Sequence, residues 1–236
     1  MLAKLVPGSV AAAESTSDPA EAALHPAEQD LVRNAVTKRR QEFTTVRWCA
    51  RRAMEQLGLE PGPVLPGHRG VPQWAPGVVG SMTHCAGYRA AALARTEDLA
   101  ALGIDAEPNA PLPEGVLESI SLPQELGWVR SLGRSHPGIS WDRLLFSIKE
   151  AVYKTWFPLM RHELDFQDAL VTVDPAAGAF RATLLSTGAS PAPGAPRHFA
   201  GRWASEHGVL VSATWVPARV PAQRSAPRTV LAGSAV

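Results

Sequence analysis

The sequence predicts an α+β protein built as two successive halves, and three observations predict it. Apolar residues recur every three or four positions from 27 to 57 and again in the stretch ahead of Pro158, which is the helical period. Each of these stretches is followed by short runs that read as strands, at 78–107 and at 169–216. Pro- and Gly-punctuated segments at 61–80 and 108–140 stand between them. Helix then strands, twice over, is the order of an α+β chain rather than of strictly alternating β and α units.

Residues 1 to 25 are rich in Ala, Ser and Pro and lack a hydrophobic period, so they are expected to form a frayed lead-in. The first helix is expected from Ala27 to Leu57, carried by Leu31, Val32, Val36, Phe43, Val46, Ala50 and Met54 and stopped by Gly58 and Pro61. Strands follow at Val78 to Cys85, Tyr88 to Ala94 and Leu102 to Glu107, the last ended by Pro108. Residues 108 to 140 read as loop with a helical turn near 123 to 132. Ser140 stands where an N-cap belongs, ahead of Leu144, Leu145, Ile148, Val152 and Trp156, and Pro158 is expected to end this second helix. Strands at 169–185 and 198–216 flank a Pro/Gly loop at 186–197. The resulting division is 1–25 lead-in, 26–108 first half, 109–216 second half and 217–236 loose tail.

The 236 residues, 45% of them hydrophobic, suffice to bury roughly 70–75% of the unfolded surface without covalent staples. Cys49 and Cys85 show no C-x-x-C or Cys/His spacing, which argues against a disulfide scaffold and a structural zinc site and suits a reducing cytoplasm. No apolar run reaches the length of a membrane span. The opening MLAKLVPGSVAAAES is not expected to act as a secretion signal, because Pro7 and Gly8 break its apolar stretch. A net charge of +1 speaks against a nucleic-acid coat or polybasic membrane binder. The balance is uneven, however: residues 1 to 30 hold one lysine against five acids.

Asp105 and Glu107 stand two apart in Gly-Ile-Asp-Ala-Glu-Pro, so on a strand they share a face with Cβ atoms about 6–7 Å apart. Two such carboxylates can converge on a hard cation with oxygen ligands at about 2.0–2.1 Å, as Mg²⁺ requires; a strand end meeting solvent would look the same. Glu150 and Lys154 stand four apart on the second helix, the spacing of an ordinary surface pair worth roughly 0.2–0.5 kcal/mol. The large apolar residues Phe146, Val152, Trp156 and Phe157 leave that helix only a narrow polar face, so both charges need partners. His84 lies beside Cys85, but no second His at a suggestive spacing and no Gly-x-Ser-x-Gly elbow supports a covalent mechanism. On the first helix Arg40, Arg47 and Arg51 fall within about 40° of one another. Such a stripe suits phosphates, a nucleic acid or a solvated face.

Three segments together resemble the Sfp/EntD-type 4′-phosphopantetheinyl transferases, in particular the actinobacterial carrier-protein-activating type. They are Val79-Gly80-Ser81-Met82-Thr83-His84-Cys85-Ala86-Gly87-Tyr88, Gly103-Ile104-Asp105-Ala106-Glu107-Pro108 and Phe146-Ser147-Ile148-Lys149-Glu150-Ala151-Val152-Tyr153-Lys154. Their order and separations match as well. Lys38 to Phe43 with Val46-Arg47, Trp141-Asp142-Arg143 and Gly201-Arg202-Trp203 extend the likeness from about residue 28 to 216.

The resemblance implies transfer of the phosphopantetheine arm of coenzyme A to a serine of an acyl, peptidyl or polyketide-synthase carrier, with release of 3′,5′-ADP. It implies a cytoplasmic monomer of two pseudo-symmetric α/β lobes with coenzyme A in the cleft between them, and no nucleic-acid or membrane partner. Asp105, Glu107 and Glu150 match the family's metal positions, for Mg²⁺ or Mn²⁺, and Glu150, or Glu107 through a water, is the candidate base. Lys154 matches the lysine that neutralises the transferring phosphate. Ser81 and His84 belong to the motif that contacts coenzyme A phosphates, and Arg39 and Arg47 match residues that hold its 3′-phosphate. The family's lysine in the loop before the first motif is absent from Pro66-Gly67-His68-Arg69-Gly70-Val71-Pro72, where Arg69 is the nearest substitute. The segment 109–140 lies where the family docks its carrier. Two other functions use the same residues: a Mg²⁺-dependent phosphohydrolase of coenzyme A or nucleotides, and a basic-helix nucleic-acid module.

Overall fold

The computed structural model describes residues 1–185 and 195–218. The chain is α+β, with three sheets and four α-helices among the described residues. In chain order the elements are β1 (Ala11–Ser15), α1 (Thr37–Gln56), β2 (Leu65–Pro66), β3 (Pro72–Gln73), β4 (Val78–Cys85), β5 (Tyr88–Arg95), β6 (Leu99–Pro108), α2 (Val116–Ile120), α3 (Pro123–Ser135), α4 (Trp141–Met160), β7 (Ala169–Asp174), β8 (Ala179–Leu184), β9 (His198–Glu206) and β10 (Val209–Pro217).

An antiparallel sheet of order β1-β5-β4 carries α1, whose Cys49, Ala50, Ala53 and Met54 are buried with Ala91 and Leu93 of β5. A second antiparallel sheet of order β6-β10-β9-β8-β7 carries α4, whose Leu144, Leu145, Ile148, Val152 and Trp156 are buried with Val171, Phe180, Phe199 and Leu210. Between them, Tyr88, Ala90, Ala92 and Ala94 of β5 bury with Leu102, Ile104, Val211 and Ala213 in a core shared by both sheets. β9 and β10 are joined at His207 (φ 52) and Gly208 (φ 76), the consecutive left-handed residues of a tight hairpin turn.

Several sequence expectations change. The lead-in is not frayed: β1 pairs with β5, and Leu2, Leu5 and Ala11 are buried. Its acids hold it down, because Glu14 accepts from Tyr88 and the Leu2 N–H, and Asp18 accepts from Arg89 and Thr45. The first helix starts at Thr37 instead of Ala27; Pro26–Val32 is a 3₁₀ turn fixed by Glu28, which accepts from the His25 N–H at 3.0 Å. Residues 108–140 are largely helical, since Val129 of α3 and Ile120 of α2 are buried against the α4 core. Pro158 does not end α4, which runs two residues further and stops at Arg161 (φ 55). Ser140 occupies the N-cap of α4 without a side-chain capping bond. β6, assigned above to the first half, pairs along its length with β10 of the second. Most of the expected loop at 186–197, and the tail beyond 218, lie outside the described residues.

Candidate functional site

α4 lies directly against β6 because Gly103 has no side chain. A Cβ there would collide with the Ala151 carbonyl and the Thr155 hydroxyl. This close approach brings the polar face of α4 over the carboxylates of β6. Asp105 is 4% exposed; its Oδ1 accepts from Lys154 Nζ at 2.7 Å and from Thr83 Oγ1 at 3.3 Å. Its Oδ2 is buried and has no hydrogen-bond partner. Glu107 Oε2 accepts from Arg143 Nη1 at 3.1 Å, while the same guanidinium binds the carbonyls of Ala110 and Pro111. Lys154 therefore bridges to the strand rather than pairing with Glu150 along the helix.

Burial and the neighbouring Asp105 charge raise the pKa of Glu107, against the opposing pull of Arg143. Burial likewise raises Glu150, with Lys154 acting to lower it and Asp105 to raise it. A region where the Asp105 charge raises the proton affinity of Glu107 and Glu150, and where one buried oxygen lacks a donor, suits a cation. Among the described residues no three His, Cys, Asp or Glu side chains converge closely enough to enclose a metal ion. The donor set fits instead a hard cation of the Mg²⁺ kind, which takes one or two carboxylates and fills its remaining positions with phosphate oxygens and water.

A cleft of about 490 Å³ opens in front of these groups. Of the residues expected to bind or react, Arg39, Arg47, Arg69, Ser81, His84, Glu150 and Lys154 line it; Asp105 and Glu107 do not, although Asp105 bonds Thr83 and Lys154 of its lining. His84 Nε2 lies 2.7 Å from Arg39 Nη1 and 3.7 Å from Glu42. Burial, then the Arg39 charge, lower its pKa and favour the neutral imidazole. Arg69 sits at φ 55 with Nε 2.7 Å from Glu163.

Arg47 is buried, donates from Nε to the Val64 carbonyl at 3.1 Å and stacks over Phe43 at 3.3 Å. Burial brings its pKa down to about 10 despite the nearby Glu28. Arg51 bonds Glu28 at 3.0 Å, and Arg40 donates to the Arg33 carbonyl at 3.0 Å. The expected arginine stripe is thus no continuous basic face: Arg47 and Arg51 turn inward onto a fully buried glutamate. That removes the footprint on which a nucleic-acid reading depended. Both cysteines are free. Burial, then Glu107 and Asp105, push the Cys85 thiol up to about 12, which keeps it protonated and unsuited to nucleophilic attack.

The sequence reading missed three residues of this site. Thr83 and Arg143 fix the two β6 carboxylates, and Gly103 lets the helix reach them. Only Gly103 carried a readable signal, as a glycine inside a strand pattern.

A family model described as the 4′-phosphopantetheinyl transferase N-terminal domain matches residues 27–94, and one described as the 4′-phosphopantetheinyl transferase superfamily matches residues 101–205. The chain is 56% identical over 197 residues to the 4′-phosphopantetheinyl transferase Svp of Streptomyces mobaraensis, covering 83% of this chain and 79% of that one. It is 43% identical over 222 residues to the 4′-phosphopantetheinyl transferase PptT of Mycobacterium tuberculosis, covering 90% and 96%. To the 4′-phosphopantetheinyl transferase Npt of Nocardia iowensis it is 42% identical over 221 residues, covering 90% and 98%.

Proposed function

The chain belongs to the 4′-phosphopantetheinyl transferase superfamily and is an enzyme of that class, and from this premise we propose how its own residues perform the transfer. The co-substrate is coenzyme A, the acceptor a serine of an acyl, peptidyl or polyketide-synthase carrier, and the released product 3′,5′-ADP. The enzyme works as a cytoplasmic monomer, with coenzyme A in the cleft between two similar lobes and the carrier against the 109–140 segment. Among the described residues no helix is long and apolar enough to cross a membrane.

The observation that carries the reading is the Asp105 carboxylate, with one oxygen held by Lys154 and the other buried without a partner beside an arginine-lined cleft. From among Asp105, Glu107 and Glu150, one or two carboxylates would hold Mg²⁺ or Mn²⁺ together with phosphate oxygens and water, and the ion would offset the charge of the coenzyme A pyrophosphate and polarise the phosphoryl group. Lys154, fixed by Asp105, presents its ammonium to the cleft and balances charge that builds on the phosphate in the transition state. Arg39, with Arg47 and Arg69, supplies guanidinium donors for the outer phosphate. His84, neutral in the free enzyme, takes up a proton as that phosphate approaches. Ser81 lines the same wall.

Glu150 is favoured over Glu107 as the base for the carrier serine. Burial raises the proton affinity of both, but Glu150 lines the cleft whereas Glu107 is bonded to Arg143. A base must be within reach of the proton it takes before its pKa matters.

The test is incubation of the protein with coenzyme A, a divalent cation and a panel of apo carrier proteins, followed by intact-mass measurement of each carrier. A phosphopantetheine adduct that requires the cation is the expected result. No adduct on any carrier from folded protein would overturn the reading, and 3′,5′-ADP released without a carrier would mark a phosphohydrolase.

A further inference from the structure

β4 and β6 run beside each other where the two sheets meet, yet they belong to separate hydrogen-bonded sheets. Two hydroxyls of β4 replace the missing ladder. Ser81 Oγ accepts from the Ile104 N–H at 3.1 Å, and Thr83 Oγ1 accepts from the Ala106 N–H at 3.0 Å. Both side chains are 4% exposed.

The Thr83 bond has a directional consequence. The Ala106 N–H can only donate, so it takes a lone pair of the threonine oxygen and leaves the hydroxyl proton for Asp105 Oδ1, 3.3 Å away. Lys154 Nζ donates to the same Oδ1 at 2.7 Å. One carboxylate oxygen thus receives two donors, and Oδ2 receives none. Free rotation of a carboxylate about its last bond is broad and twofold, so without a fixed donor the two oxygens can exchange roles. The β-branched Thr83 side chain is stiff, and its oxygen is anchored to the strand that bears Asp105.

We infer that Thr83 is a positioning residue for the cation site: it selects which oxygen of Asp105 is offered to the metal. The inference rests on the reading of Asp105 as a ligand of a divalent cation. Residues that orient a metal ligand through a hydrogen bond typically change metal affinity by about 10–100-fold when removed. A threonine that only joined two sheets would change stability and leave metal affinity alone.

The experiment measures Mn²⁺ binding to the whole protein with coenzyme A present, from the free Mn²⁺ signal in electron paramagnetic resonance, alongside thermal unfolding. Thr83→Val keeps the shape and removes the hydroxyl; it is expected to weaken Mn²⁺ binding about 10–100-fold. Thr83→Ser keeps the hydroxyl and is expected to stay within about threefold of wild type. In turnover assays Thr83→Val should raise the Mn²⁺ concentration for half-maximal rate by more than it lowers kcat. A folded Thr83→Val protein that binds Mn²⁺ as wild type does, whatever its Tm, overturns the inference. If Thr83→Val does not fold, Thr83→Ala, which leaves space for a water at the Ala106 N–H, decides the matter by the same criterion. Wild-type protein that binds no Mn²⁺ with coenzyme A would instead overturn the cation reading itself.

Discussion

The two long helices, α1 and α4, are each clamped by one device with different cations. In the first clamp, Glu28 follows Pro26 and is fully buried; it accepts from the N–H of His25 at 3.0 Å and of Val64 at 2.8 Å, and it meets Arg47 and Arg51 of α1. In the second, Glu125 follows Pro123 and is fully buried; it accepts from the N–H of Leu122 and of Val171, each at 2.7 Å, and it meets Lys149 of α4 at 2.7 Å. Lys149 is consumed there, since the carbonyls of Ile120, Phe166 and Ala169 take its remaining bonding capacity. Arginine has five donors in a rigid fork. Arg47 spends Nε on Val64 and still lines the cleft. The choice of cation separates a sealed clamp from one whose outer side can face a ligand.

The largest expected effect tests that distinction by stability. Glu125→Gln leaves Lys149 charged and buried without its counterion, a change that typically costs about 3–5 kcal/mol. Glu28→Gln leaves Arg51, whose second nitrogen also reaches the Ala23 carbonyl near the surface, and Arg47, which keeps the Val64 carbonyl and borders the cleft, so a smaller loss of about 1–3 kcal/mol is expected. Urea unfolding of the two variants gives the comparison directly. Equal losses would show that the second clamp is no more sealed than the first. Lys149→Met should cost less than Glu125→Gln, because Glu125 keeps its two backbone donors.

The next effect belongs to the site between the clamps. Lys154→Met removes the only charged donor bonded to Asp105 among the described residues. It is expected to lower kcat by about 10²–10³, the usual effect of removing one transition-state donor, while circular dichroism stays unchanged. Retained kcat would detach Lys154 from the chemistry. Gly103→Ala should act more weakly and on both properties. Forcing α4 away from β6 is an overpacking change of about 1–3 kcal/mol, and it should reduce transfer because Glu150 and Lys154 move with the helix. A stable Gly103→Ala protein with full activity would show that the close approach is not needed.

Legibility in the sequence followed the range of the interactions. The order of helices and strands could be read because periodicity is local, and so could the pairing of Asp105 with Glu107 on one face. The lead-in was misread because Ala11–Ser15 has almost no pattern of its own; β5 and the partners of Glu14 and Asp18 hold it in place. Residues 27–36 carry a helical period but yield to the Glu28 clamp, whose partners at 47, 51 and 64 are distant in sequence. Whether Arg47 and Arg51 face phosphates, a nucleic acid or solvent stayed open because spacing says nothing about which way a helix face turns; in the structure both meet Glu28, and Arg47 also lines the cleft. Thr83 and Arg143 were invisible as site residues for the same reason. Each acts through one hydrogen bond to a carboxylate more than twenty residues away.

The smallest effect concerns His84, which meets both Arg39 and the cleft. Burial and then Arg39 lower its pKa from the ordinary value of about 6.5. The unfolded chain therefore binds more protons than the folded one as pH falls below that value, and His84 withdraws stability over that window. Removing Arg39 takes away one of the two main causes and leaves burial, so Arg39→Gln should move the imidazole pKa upward without fully restoring it. Coenzyme A should move it upward in the wild type, because a bound phosphate favours the charged ring. Binding then takes up a proton, and the imidazole's contribution to coenzyme A affinity grows as pH falls toward its ordinary range of about 6.5. A proton NMR titration of the His84 ring in wild type and Arg39→Gln, each with and without coenzyme A, follows all three shifts. An imidazole that titrates at its ordinary value in free wild-type protein, or falls further in Arg39→Gln, would mean that Arg39 does not set the charge state of the histidine.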